Sequence, residues 1–83
     1  MTMRAYVLIE AAVGQAKAVS EGARALKFPE TEVVSVETVT GPYDVITLLQ
    51  SDDLDKLGQA ITDGIQTVDG VQRTTTCLVV RLD

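Results

Sequence analysis

Three short runs in this 83-residue chain carry apolar side chains at consecutive rather than alternate positions. Residues 4–11 (Arg-Ala-Tyr-Val-Leu-Ile-Glu-Ala) set Val7 and Ile9 against Tyr6 and Leu8. Residues 45–49 (Val-Ile-Thr-Leu-Leu) set Val45 and Leu49 against Ile46 and Leu48, and residues 71–82 set Cys77 and Val79 against Leu78, Val80 and Leu82. Successive side chains of a strand point to opposite faces of its sheet. A sheet built from these runs is therefore apolar on both faces, and both need cover. A strand with one face in water reads instead as apolar–polar alternation.

The rest of the sequence supplies two helices. The first opens at Gly14, and Ala16, Val19, Ala23 and Leu26 recur at spacings that line one face. Lys17, Glu21, Arg24 and Lys27 fall largely on the other side. Pro29 ends this helix by forcing the residue before it out of the helical region. The second helix is capped by Ser51 or Asp52 and buries Leu54, Leu57, Ile61, Ile65 and Val68. Gly58 and Gly64 each cost it about 1 kcal/mol relative to Ala, which points to close approach of helix and sheet. Between the helices, residues 33–40 form a strand by β-branched content. Gly41-Pro42-Tyr43-Asp44 turns that strand into 45–49 as a hairpin, and Asp69-Gly70 turns the chain into a last strand over 71–82.

The order β-α-β-β-α-β, with right-handed crossovers around a central hairpin, specifies a single domain over residues 1–83. Its class is α+β and ferredoxin-like, with a four-stranded antiparallel sheet and both helices on one face. Two helices cover one face only, and no long loop is available for the other. Exposed apolar patches of more than a few hundred Å² mark interaction surfaces, and a chain this short gains little margin from its own core. Sheet-to-sheet pairing in a symmetric dimer meets both demands.

Composition removes several functions. Seven basic residues against twelve acidic give a net charge of −5, unsuited to a sequence-independent grip on phosphate backbones. The chain has no His, the commonest metal ligand and general base. One Cys, Cys77, makes neither an internal disulfide nor a zinc site, which fits a reducing, cytoplasmic location. Cys77 reads as a small buried apolar group. Asp52, Asp53 and Asp55 read as helix-capping carboxylates rather than a metal site. The apolar run over 5–9 stops at Glu10, far short of the ~20 residues of a spanning helix and of the core of a signal peptide. No catalytic residue, cofactor or metal is expected.

Residues 36–45 (Val-Glu-Thr-Val-Thr-Gly-Pro-Tyr-Asp-Val), followed by 69–76 (Asp-Gly-Val-Gln-Arg-Thr-Thr-Thr), resemble the effector-binding domain of the Lrp/AsnC family, the RAM module. The resemblance covers essentially the whole chain. It implies dimers that assemble into octamers or decamers, with a small effector, commonly an amino acid, bound between dimers and no catalysis. It also implies regulation of transcription, alone or by co-assembly with full-length Lrp/AsnC regulators. Those regulators carry an N-terminal helix-turn-helix for DNA, whereas only residues 1–3 precede the first strand here. A stand-alone module without direct nucleic-acid or membrane binding is the expectation.

A zwitterionic amino acid needs an acceptor for its ammonium and donors for its carboxylate. The resemblance directs these roles to Gly41, Tyr43, Asp44, Thr74 and Thr76. Asp44 is either the ammonium acceptor or a turn carboxylate bonded to local backbone. Gly41 supplies a positive φ, and its N–H can also meet a carboxylate. Tyr43 offers a hydroxyl or a pocket wall, or packs in an interface. Thr74 and Thr76 share one side of their strand and serve as hydroxyl donors or as plain strand formers. Two other binding classes stay open: an ACT-like sensor with its ligand near Val13 and Gly14, and an assembly module that binds no small molecule. A small dimeric α+β-barrel enzyme, such as a cofactor-free oxygenase or isomerase, usually employs His, Trp or Asn, and the chain contains none of the three.

Overall fold

In the computed structural model, which describes residues 1–82, the two strands that are apolar on both sides lie at the centre of the sheet. β1 (Met3–Ala11) and β3 (Val45–Ser51) are flanked by β4 (Val71–Leu78) and β2 (Thr31–Thr38) in the order β2-β3-β1-β4, all neighbours antiparallel. Helices α1 (Ala16–Ala25) and α2 (Leu54–Asp63), the latter continued by a 3₁₀ turn over Ile65–Thr67, complete the β-α-β-β-α-β order. This is the ferredoxin-like fold that the element order implies.

Strand register decides which side chains meet the helices. Ala5, Val7 and Ile9 pair with Leu49, Thr47 and Val45, and all six are fully buried. Against them pack Val19 and Ala23 from α1, Leu57, Ala60 and Ile61 from α2, and Ile65. Burying each larger aliphatic side chain contributes about 1.5–3 kcal/mol, so this layer holds the fold. The outward residues of α1, Lys17, Glu21 and Arg24, are all exposed, as is Lys27 just beyond its end.

The other face has no helix. Tyr6 pairs with Leu48 and Leu8 with Ile46, forming an apolar stripe two strands wide. Leu48 is almost covered by its neighbours, whereas Tyr6 is 43% exposed. The flanking strands place polar groups beside this stripe: Glu32 and Glu37 from β2, and Arg73 and Thr75 from β4. The apolar face is thus real but centred on the two inner strands, with Cys77 beside Tyr6 extending it onto β4.

Several boundaries differ from expectation for identifiable reasons. α1 ends at Ala25, not at Pro29, because Leu26 is already extended and its side chain turns into the core. β2 begins at Thr31 rather than 33 and absorbs a bulge between Val33 and Ser35. β3 runs to Ser51 because Gln50 and Ser51 find partners on both β1 and β2. The cap of α2 is therefore Asp53, whose carboxylate accepts from the backbone N–H groups of Asp55 (2.8 Å) and Lys56 (3.1 Å). Leu54 opens this helix 56% exposed instead of joining its buried stripe.

Gly58 has open space where a Cβ would stand, so close approach does not explain it. At Gly64 a Cβ would collide with the Phe28 ring, a contact with the α1–β2 connection rather than with the sheet. Cys77 is exposed, not buried. It pairs with Tyr6 and so shares the helix-free face. Strand β4 ends at Leu78, and residues 79–82 lie beyond it, exposed. Among the described residues, no helix is long and apolar enough to cross a membrane.

Candidate functional site

The hairpin between β2 and β3 forms one end of the sheet, and Asp44 is its structural hinge. The Val39 N–H donates to the Asp44 carbonyl at 2.8 Å, closing the loop. The Asp44 N–H donates to the Ile9 carbonyl at 2.9 Å, continuing the ladder to β1. Carboxylate oxygen Oδ2 of Asp44 accepts from the Ala11 N–H at 2.8 Å. That bond satisfies the last strand amide of β1, where the pairing register with β4 shifts between Glu10 and Ala11. The backbone bond is real, as a turn carboxylate would have it, but it reaches across to β1 rather than to the local turn.

Among the described residues, Oδ2 of Asp44 is engaged by the Ala11 N–H and no hydrogen bond reaches Oδ1, so a cationic group can still be received there. The loop around it is open. Gly41 and Pro42 are exposed, and Tyr43 and Asp44 are half-buried. Gly41 has φ 132°, a conformation that L side chains rarely adopt, with nothing within 4 Å of a Cβ built there. The glycine therefore answers to backbone conformation, and its surroundings stay free for an approaching molecule.

Thr74 and Thr76 lie on the other side of β1. Ile9 pairs with both Val45 and Thr74, so Thr74 stands level with the hairpin but two strand spacings away, about 10 Å. Both threonines share the helix side of the sheet, since they pair with the buried Ile9 and Val7. The Thr74 hydroxyl accepts from Gln66 Nε2 at 3.1 Å, while Thr76 is exposed. The structure thus gathers Gly41, Tyr43 and Asp44 in one loop and leaves Thr74 and Thr76 apart from them within a protomer.

Sequence reasoning passed over four residues at this end. The Ala11 amide is backbone and carries no signal in residue type. Gln66 reaches Thr74 from the 3₁₀ turn. Glu10 and Arg73, paired across β1 and β4, approach to 3.9 Å as an exposed ion pair. Their opposite charges, each next to a site strand end, were the available clue, but using it needed the register. The β1–α1 turn adjoins the same end: the Ala12 N–H donates to the Gly70 carbonyl at 2.8 Å, and Val13 projects fully into solvent.

The Lrp/AsnC ligand binding domain matches the chain over residues 4–82. TTHA0845 from Thermus thermophilus is 34% identical, with a TM-score of 0.83 over 98% of this chain and 96% of that one. AsnC from Escherichia coli is 21% identical with a TM-score of 0.82; the likeness covers 96% of this chain and 52% of AsnC. The transcriptional regulator NMB0573 from Neisseria meningitidis, solved as a complex with L-methionine, is 20% identical with a TM-score of 0.77, covering 95% of this chain and 50% of that one. Both of these share the fold, and this chain spans about half of each. No curated protein matches the chain.

Proposed function

The chain belongs to the Lrp/AsnC ligand-binding domain family, and on that premise we propose that it is a non-catalytic effector sensor that pairs sheet to sheet and binds an amino acid where the 41–44 hairpins of neighbouring dimers meet. The observation that carries this reading is the form of the hairpin. One protomer offers a carboxylate oxygen, a glycine free of neighbours and a half-buried Tyr43, but no enclosing wall. A pocket completed by a second dimer supplies the missing side. Thr74 and Thr76, separated from the hairpin within one protomer, take part only through such assembly. Binding at an assembled interface couples effector to oligomer, because a ligand that prefers one assembly shifts the population toward it. The methionine bound by the Neisseria regulator supports an amino acid as the effector class.

Asp44 allows a clean test because its two oxygens have separate tasks. Asp44→Asn removes the charge yet keeps an oxygen to accept the Ala11 N–H. Titration calorimetry with the common amino acids should find micromolar to millimolar binding by the wild type, weakened at least tenfold in Asp44→Asn, with thermal stability nearly unchanged. Unchanged affinity in a folded Asp44→Asn variant would remove Asp44 from the site. Asp44→Ala is the poorer probe, since it also leaves the Ala11 amide without its acceptor, at about 1–3 kcal/mol.

A further inference from the structure

A hollow of about 370 Å³ opens between the α1–β2 connection and α2, within the roughly 300–1,000 Å³ typical of small-molecule sites. It shares no lining residue with the 41–44 hairpin or with the helix-free face of the sheet. From α2 and its C-cap it takes Lys56, Gln59, Ala60, Asp63 and Gly64, which recur at helical spacing along one stripe. That stripe lies beside the one carrying Leu57 and Ile61 into the core. The connection contributes Leu26, Phe28 and Pro29.

The wall on the connection side is held in place. Leu26 leaves α1 with an extended backbone and packs against the core. Phe28 pairs with Thr31 across a turn of Pro29 and Glu30, and Glu30 has φ 65°, in the left-handed region that favours glycine. The Phe28 ring fills the space that a side chain at position 64 would need. A strained turn and an absent Cβ thus fix an aromatic ring against the end of α2, before any ligand arrives.

The rim adds charge to this apolar floor. Lys27 and Lys56 both line the hollow, and among the described residues neither forms an ion pair. By contrast, Arg73 pairs with Glu10, while Arg4 donates to Gln50 and Arg24 to the Val36 carbonyl. One carboxylate, Asp63, also lines the hollow, two helical turns from Lys56 and so about 10 Å along the axis. The chain as a whole carries −5 and repels anions, so a local surplus of positive charge beside an aromatic wall is selective. We propose that this hollow binds an aryl-substituted monocarboxylate, its carboxylate received by Lys27 and Lys56 and its ring packed on Phe28, Ala60 and Gly64. Asp63 disfavours a second negative charge at the far end. The site is separate from the hairpin and does not rest on the effector reading given above.

Saturation-transfer NMR on the full chain, with 3-phenylpropanoate as the probe, tests it. The wild type should bind this carboxylate in the millimolar range or tighter. The neutral 3-phenylpropanamide and the cationic 2-phenylethylammonium, which keep the ring, should bind about tenfold more weakly. Lys27→Gln and Lys56→Gln should each weaken the carboxylate about threefold, and the double variant about tenfold. Lys17→Gln, exposed on α1 and outside the hollow, and Asp44→Asn should both keep wild-type affinity. No saturation transfer at millimolar probe, equal affinity for the three charge forms, or an unchanged double variant would overturn the proposal. Binding lost in Asp44→Asn but kept in the lysine variants would place the probe at the hairpin, overturning this site while leaving the effector reading standing.

Discussion

The two faces of the sheet are built from the same strands, each with apolar residues at the centre, and differ in what surrounds them. On the helix side, Val7, Ile9, Val45 and Leu49 have no exposure, and α1 and α2 close over them. On the other side Tyr6, Leu8, Ile46 and Leu48 form a stripe of similar chemistry with no helix above it. It is bordered by the carboxylates of Glu32 and Glu37 on one edge and by Arg73 on the other. Apolar content alone therefore does not distinguish the covered face from the open one. The borders differ: the covered face passes into further apolar contacts, whereas the open stripe is rimmed by charge.

Substitutions on the helix side should have the largest effect on folding. Ile9→Ala removes a fully buried side chain of the helix-side core and should cost about 2–5 kcal/mol, read as a lower urea midpoint with the slope retained. Asp53→Ala, away from either face, deletes the cap that serves two backbone N–H groups of α2 and should cost about 1 kcal/mol. Gly58→Ala sits on the outer side of α2, where the added methyl meets nothing within 4 Å, and should stabilise the domain by about 0.5–1 kcal/mol. A loss of stability at Gly58→Ala would mean that the outer helix surface is also covered, and the contrast of faces would need redrawing.

Element order, the hairpin and the two opposed apolar sets of β1 and β3 were legible because each rests on local chemistry: β-branched runs, Gly and Pro punctuation, and helical spacing; which set faces the helices was not. What escaped depends on register. Cys77 has the residue type of a core position, but pairing with Tyr6 turns it to the helix-free face. Gln50 and Ser51 look too polar to extend a strand, yet Gln50 bridges Arg4 and Glu32, and Ser51 donates to the Glu30 carbonyl at 2.7 Å. That lengthening moves the helix cap from Ser51 or Asp52 to Asp53. Leu54 continues the spacing of the buried stripe but lies in the first turn of α2, before the helix meets the core. In the candidate site, the loop 41–44 was visible as a turn. The Ala11 amide that holds Asp44 lies 33 residues away in sequence, and nothing local announces such a partner.

The central claim is that the uncovered stripe on β1 and β3 is where two copies meet. Sedimentation equilibrium of the wild type beside Tyr6→Asp tests it most directly, since Tyr6 is 43% exposed in the protomer and its replacement leaves the helix-side core untouched. The wild type should sediment as a dimer or larger at micromolar concentration, and Tyr6→Asp as a folded monomer with unchanged far-ultraviolet circular dichroism. A wild type that stays monomeric and soluble there, or a Tyr6→Asp variant that associates as tightly as wild type, would contradict it.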